Sequence, residues 1–187
     1  MREIVLAFLD ITSEALEDNW LNRAAASIVA PNCNRMRKGK KAPNVHVEIW
    51  FRDTQYEGFS CSICFNKTVH WHKKSFSRVW SFRSIHCTDE AFAKIKSFCM
   101  MQRGCKFNSL GFFGMGLRLR LPGTWPTYFG FRPRYFCSEL ICAALKHGGI
   151  LSKTQQTVIH PEELFLLIQP FSSVTSIKDK NFKNISY

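Results

Sequence analysis

The stretch from Cys137 to Gly149 most constrains what this chain can fold into. Leu140, Ile141, Ala144 and Leu145 follow Cys137 at offsets of three, four, seven and eight, one apolar stripe of an amphipathic helix. Gly148-Gly149 closes the helix, as glycine does just past a helix end. A matching strand lies at Asn44–Phe51. Val45, Val47, Ile49 and Phe51 share one face, and His46, Glu48 and Trp50 share the other. The two elements predict an α+β domain with an antiparallel sheet and the cysteine-bearing helix packed on it. A helix packed on the His46 side would bring Cys137 within reach of the imidazole.

Cys137 sits in the first turn of its helix. Unpaired backbone N–H groups and the positive end of the helix dipole favour a thiolate there. A thiolate needs a base, and His46 is the candidate. Each residue also has a plainer reading: a helical cysteine is usually a small buried hydrophobe, and a strand histidine is usually structural. It is the pairing that points to nucleophilic chemistry. Cys142 lies off the Cys137 face and reads as core. His147 reads as a favourable charge at the negative dipole end.

The order of motifs resembles a known group. A histidine on an early strand precedes a cysteine at the start of a late helix, within Phe136-Cys137-Ser138-Glu139-Leu140. This is similar to the circularly permuted branch of the NlpC/P60 superfamily of papain-like cysteine hydrolases, near its YiiX-like and LRAT-like groups. Gly58-Phe59-Ser60-Cys61-Ser62 and Thr68-Val69-His70-Trp71 resemble the strands that follow the histidine in small phage and viral members. Asn108 to Gly114 resembles the segment before the cysteine motif, and His160 to Phe165 the element after it. The similarity runs from about residue 45 to residue 170.

The resemblance implies a thiol hydrolase acting through a thioester, with Cys137 as nucleophile and His46 as base. It implies a polar residue on the next strand that orients the imidazole, and Ser60 matches that position. Glu48 competes for the role, since it shares the His46 face two residues on, about 6.5–7 Å away along a strand. Backbone N–H groups of Cys137 and Ser138 would form the oxyanion site. Trp50, Phe112, Phe113 and Trp125 are the candidate substrate-binding residues. The expected substrate is a peptide, isopeptide or other acyl compound, and amide hydrolysis is the leading chemistry. An LRAT-like acyltransferase or thioesterase acting on lipid acyl chains is one alternative. A non-catalytic basic binding module is another. No cofactor is implied.

Cys61-x-x-Cys64 with His70-x-His72 offers four zinc-type ligands in a short span. If residues 58–65 form a strand, Cys61 and Cys64 point to opposite faces and cannot share an ion. No obligatory metal is therefore expected. The eight cysteines (Cys33, Cys61, Cys64, Cys87, Cys99, Cys105, Cys137 and Cys142) read as thiols, because no secretion signal accompanies them. A reducing location follows, cytoplasmic, or host cytoplasm or virion if the source is viral. No stretch reaches the roughly 18 apolar residues of a membrane span.

The net charge of +12 concentrates in Arg35-Met36-Arg37-Lys38-Gly39-Lys40-Lys41 and in Arg118, Arg120, Arg132 and Arg134. It predicts attraction to an acidic partner: nucleic acid, an anionic lipid surface or an acidic substrate. The bland alternative is a solvated loop. Nucleic-acid binding is not expected as the main role, since no recognition signature for it is present. Oligomeric state is not legible.

Strands are expected at 3–9, 45–51, 58–65, 68–72 and 79–86, and a short helix within 13–29 around Trp20-Leu21 and Ala24–Ala26. A basic loop spans 31–43. Thr88-Asp89-Glu90 opens a helix with Phe92, Ile95 and Cys99 buried and Gly104 at its end. Residues 105–133 should give a short helix and a loop walling the substrate cleft. His160-Pro161 begins another short helix. Residues 1–177 read as a single domain and 178–187 as a polar tail.

Overall fold

The computed structural model describes residues 1–11, 43–52, 58–65, 67–76 and 79–174. The expected helix within 13–29, the basic loop with Arg35–Lys41, Cys33 and the tail at 178–187 lie outside the described residues.

The first strand, β1 (Arg2–Asp10), is an apolar run from Ile4 to Leu9, and all six of those residues are buried. Such a run belongs at the centre of a sheet covered on both faces. That is its place in the order β4-β3-β2-β1-β5-β6, where β2 is Asn44–Arg52, β3 Gly58–Ser62, β4 His70–Lys74, β5 Ser81–Cys87 and β6 Ser173–Val174. All the pairings are antiparallel. Four α-helices occur among the described residues: α1 (Asp89–Met101), α2 (Ser109–Gly116), α3 (Cys137–His147) and α4 (Pro161–Leu167). None is long and apolar enough to cross a membrane.

The strand alternation sorts side chains onto two faces. Val47, Ile49 and Phe51 enter the main core with Leu140, Ile141, Ala144 and Leu145 of α3. Phe8 on the same face meets the Phe165 ring of α4 edge-on at 5.1 Å. On the other face, Trp50 packs with Val5, Ala7, Phe76 and Phe82. The cysteine helix therefore covers the Val47 face and not, as expected from sequence, the His46 face.

Several expected boundaries move. The third strand ends at Ser62 rather than 65, because Lys67 N–H bonds to the Cys64 carbonyl at 3.1 Å and turns the chain. Cys64 is therefore off the strand, while Cys61 is buried with its thiol directed at the Cys99 carbonyl. Helix α1 starts as expected, with Thr88 accepting from Ala91 N–H at 3.1 Å. It ends at Met101 with Gln102 as C-cap, two residues before Gly104 takes its φ of +82°.

Candidate active site

Helix α3 begins without a side-chain cap from Phe136, which carries no acceptor. Glu139, one turn in, reaches back instead and accepts Phe136 N–H at 3.3 Å. Cys137 is the first helical residue and is buried. Its N–H and that of Ser138 belong to the first turn, whose donors have no acceptor within the helix. The Ser138 hydroxyl donates to the Ile159 carbonyl at 2.6 Å, so only its backbone N–H is left for a ligand.

His46 lies near the start of β2. The β1–β2 register shifts between Leu9 and Asp10, opposite His46 and Asn44. A bulge of this kind re-aims neighbouring side chains. Glu162 of α4 fixes the strand start, accepting Asn44 N–H at 2.9 Å and Asn44 Nδ2 at 2.6 Å. The imidazole sits at this end of the strand, where it contacts Glu48 and is close enough to the Cys137 side chain for the two to interact. Nε2 is 3.3 Å from Glu48 Oε1.

Glu48 is buried and has three side-chain partners. Oε1 faces His46 and accepts Lys74 Nζ at 2.7 Å, while Oε2 accepts the Ser60 hydroxyl at 2.6 Å. Sequence left Ser60 and Glu48 as rivals for orienting the imidazole. In the structure Glu48 touches His46, and Ser60 holds Glu48.

The charges support one another. Burial disfavours the His46 imidazolium, but its interactions with Cys137 and Glu48, with the Cys64 sulfur adding to them, raise its pKa well above the usual value. Burial likewise pushes Glu48 up, yet His46 and Lys74 outweigh it and hold the carboxyl at about 2. Lys74 is steadied in turn, with Nζ 4.8 Å above the Phe76 ring and 4.6 Å above the Trp80 ring.

A second buried carboxylate lies beside the site. Glu139 accepts Asn108 Nδ2 at 3.0 Å, Gly123 N–H at 2.8 Å and Phe136 N–H. Burial lifts it to about 7, against the pull of those donors. Asn108 also caps α2 through Gly111 N–H at 3.0 Å and donates to the Leu121 carbonyl at 3.1 Å. Glu139 thus ties the loop after α2 to the cysteine helix. His160 is a cap, accepting Glu162 N–H through Nδ1 at 3.2 Å. Burial holds it neutral, its pKa lowered to about 4, which the acceptor role requires.

The candidate substrate residues separate. Trp50 is buried in the core of the other sheet face, and Phe112 is buried against Phe107 and Phe136, so both are packing residues rather than cleft walls. Phe113 is exposed, with its ring edge-on to Phe65. Trp125 is exposed and lines an apolar cavity of about 360 Å³ with Leu121, Pro126, Phe129 and Phe131. Asn108 and Gly123 also line that cavity, and both bond to Glu139, two residues beyond Cys137.

The sequence alone assigns no role to Lys74, Glu139, Asn108 or Glu162, although Glu139 is an acid inside the cysteine motif and Asn108 and Glu162 lie in the segments that flank it in the resemblance. Compared with known protein families, curated proteins and solved structures, the chain matches none.

Proposed function

We propose that this chain is a thiol-dependent hydrolase of the permuted NlpC/P60 type, with Cys137 as nucleophile, His46 as acid and base, and Glu48 as the residue that orients the ring. The observation that carries this reading is the grouping of Cys137, His46 and Glu48, with His46 bonded to Glu48 and interacting with Cys137, assembled from a helix start and a strand start more than eighty residues apart. The early histidine strand and late cysteine helix fit the permuted order.

The Cys137 sulfur, its proton held by His46, attacks an acyl carbon and forms a C–S bond. The His46 imidazolium gives that proton to the departing nitrogen or oxygen as its bond to carbon breaks. A water molecule then loses a proton to neutral His46 and attacks the thioester. The acid leaves, and the sulfur recovers its paired state. Backbone N–H groups of Cys137 and Ser138 are suited to the oxyanion, since the Ser138 hydroxyl is committed elsewhere. The leading substrate class is an amide or isopeptide.

Transfer of an acyl chain to an amine or lipid is a second reading, favoured by the apolar cavity bounded by Trp125 and Phe129. The test is a panel of activated esters and amides followed by intact-mass analysis. A mass increase on Cys137 that decays with product release, absent in Cys137→Ala, supports the proposal. Equal turnover by Cys137→Ala overturns it. Adding amine and lipid-alcohol acceptors then separates hydrolysis from transfer.

A further inference from the structure

Residues 110–134 project large apolar side chains into solvent. Tyr128 is 84%, Phe129 78% and Leu117 77% exposed, and Leu110, Trp125 and Phe131 are similarly open. Exposed apolar surface on this scale marks an interaction site. The backbone beneath is ordered by its own bonds. The 3-10 turn Trp125–Phe129 is closed by Gly130 at φ +74°, Phe131 N–H bonds to the Pro126 carbonyl at 3.0 Å, and Arg134 N–H to the Gly123 carbonyl at 2.8 Å. Leu110, Trp125, Phe129, Phe131 and Arg134 border one cavity, so they form one continuous face.

The charge on this stretch has a single sign. No Asp or Glu lies between Glu90 and Glu139, while Arg103, Lys106, Arg118, Arg120, Arg132 and Arg134 do. Arg120 is paired with Glu163 at 2.6 Å. Arg132 donates to the Met101 and Arg103 carbonyls. Arg118 and Arg134 are exposed, and Arg134 borders the apolar face.

We infer that this face docks on anionic lipid bilayers, its aromatic and leucine side chains entering the headgroup region while the arginines meet lipid phosphates. Rings of this kind settle at the membrane interface, and arginines add affinity for an acidic leaflet. Single-stranded nucleic acid would also attract the arginines and stack on the rings. It offers nothing to Leu110, which borders the same face, so the bilayer is the better fit. Docking of this kind is independent of whether Cys137 is a nucleophile. Through Glu139 it sets the cysteine helix close to the membrane surface.

The test is flotation of the full chain with phosphatidylcholine vesicles, with and without about 30% phosphatidylserine. Binding should require phosphatidylserine and should fall by about tenfold or more when Trp125, Phe129 and Phe131 are all changed to Ser. Arg118→Gln with Arg134→Gln should weaken it further at low salt. A retained thermal midpoint checks the folding of each variant. Independently, bilayer-embedded bromolipid should quench tryptophan emission in the wild type and much less in Trp125→Phe. Failure of the wild type to bind, equal binding by the triple variant, or vesicle binding abolished by a short single-stranded oligonucleotide that occupies the same face more tightly would each overturn the proposal.

Discussion

Glu48 Oε1 stands 3.3 Å from His46 Nε2, two residues along the same strand and on the same face. The usual spacing of such neighbours is larger, so the two side chains lean together. The ring is thereby held through Nε2, which leaves its other nitrogen unengaged by Glu48.

Replacing Glu48 by Gln removes the negative charge that favours the imidazolium. The His46 pKa should fall towards and below its usual value, because burial then opposes protonation with less compensation. An NMR titration of the His46 ring reads this directly. An unchanged midpoint would contradict the electrostatic assignment. Stability has its own sign. The Glu48 pKa is depressed from 4.5 to about 2, so its contribution is present above about pH 4.5 and lost as pH falls through 2. The Gln variant should lose less stability than wild type between those limits.

Ser60→Ala removes one hydrogen bond to Glu48 and leaves the His46 contact in place. The expected loss is about 1 kcal/mol in denaturant unfolding. Its effect on Cys137 reactivity should be smaller than that of Glu48→Gln. A larger effect would mean that Ser60 acts on the imidazole by another route.

Glu139 carries the opposite pH dependence. Its pKa is raised from 4.5 to about 7, so its contribution is complete below about pH 4.5 and is lost as pH rises through 7. That change is of order 3 kcal/mol. Glu139→Gln should flatten this part of the pH–stability curve. It should also lower stability at acidic pH, because an amide offers a single acceptor oxygen to three N–H donors. Thermal midpoints at about pH 5 and about pH 8 for both proteins decide the matter.

Gly123 donates to Glu139 while its backbone presses on its neighbours. A Cβ placed there would fall on the Arg134 carbonyl. Gly123→Ala should shift the loop, weaken the bond to Glu139 and cost about 1–3 kcal/mol. An unaltered unfolding midpoint would show that the loop adjusts freely.

Much of this architecture was legible because alternation and helical spacing act locally. Strand β2 and helix α3 appeared at nearly their observed bounds, and Cys137 fell on the first helical residue. What the sequence could not supply depends on pairing register and on packing. Lys74 reaches Glu48 only because β4 pairs with β3 at Gly58. Trp50 alternates with core residues yet is itself core, since a second apolar cluster covers its face. The α3 stripe had to meet Val47 and Ile49, the most apolar surface on offer, which put the helix on the face opposite to expectation. The register shift beside His46, invisible in composition, lies where the ring comes back within reach of the sulfur.

The central claim is that His46 activates Cys137 as a nucleophile, and alkylation by iodoacetamide at about pH 6, followed by site-resolved mass spectrometry, measures it most directly. The account predicts that Cys137 in the wild type reacts at least about tenfold faster than in His46→Ala, while the other cysteines are unaffected. Equal Cys137 rates in the two proteins would contradict it.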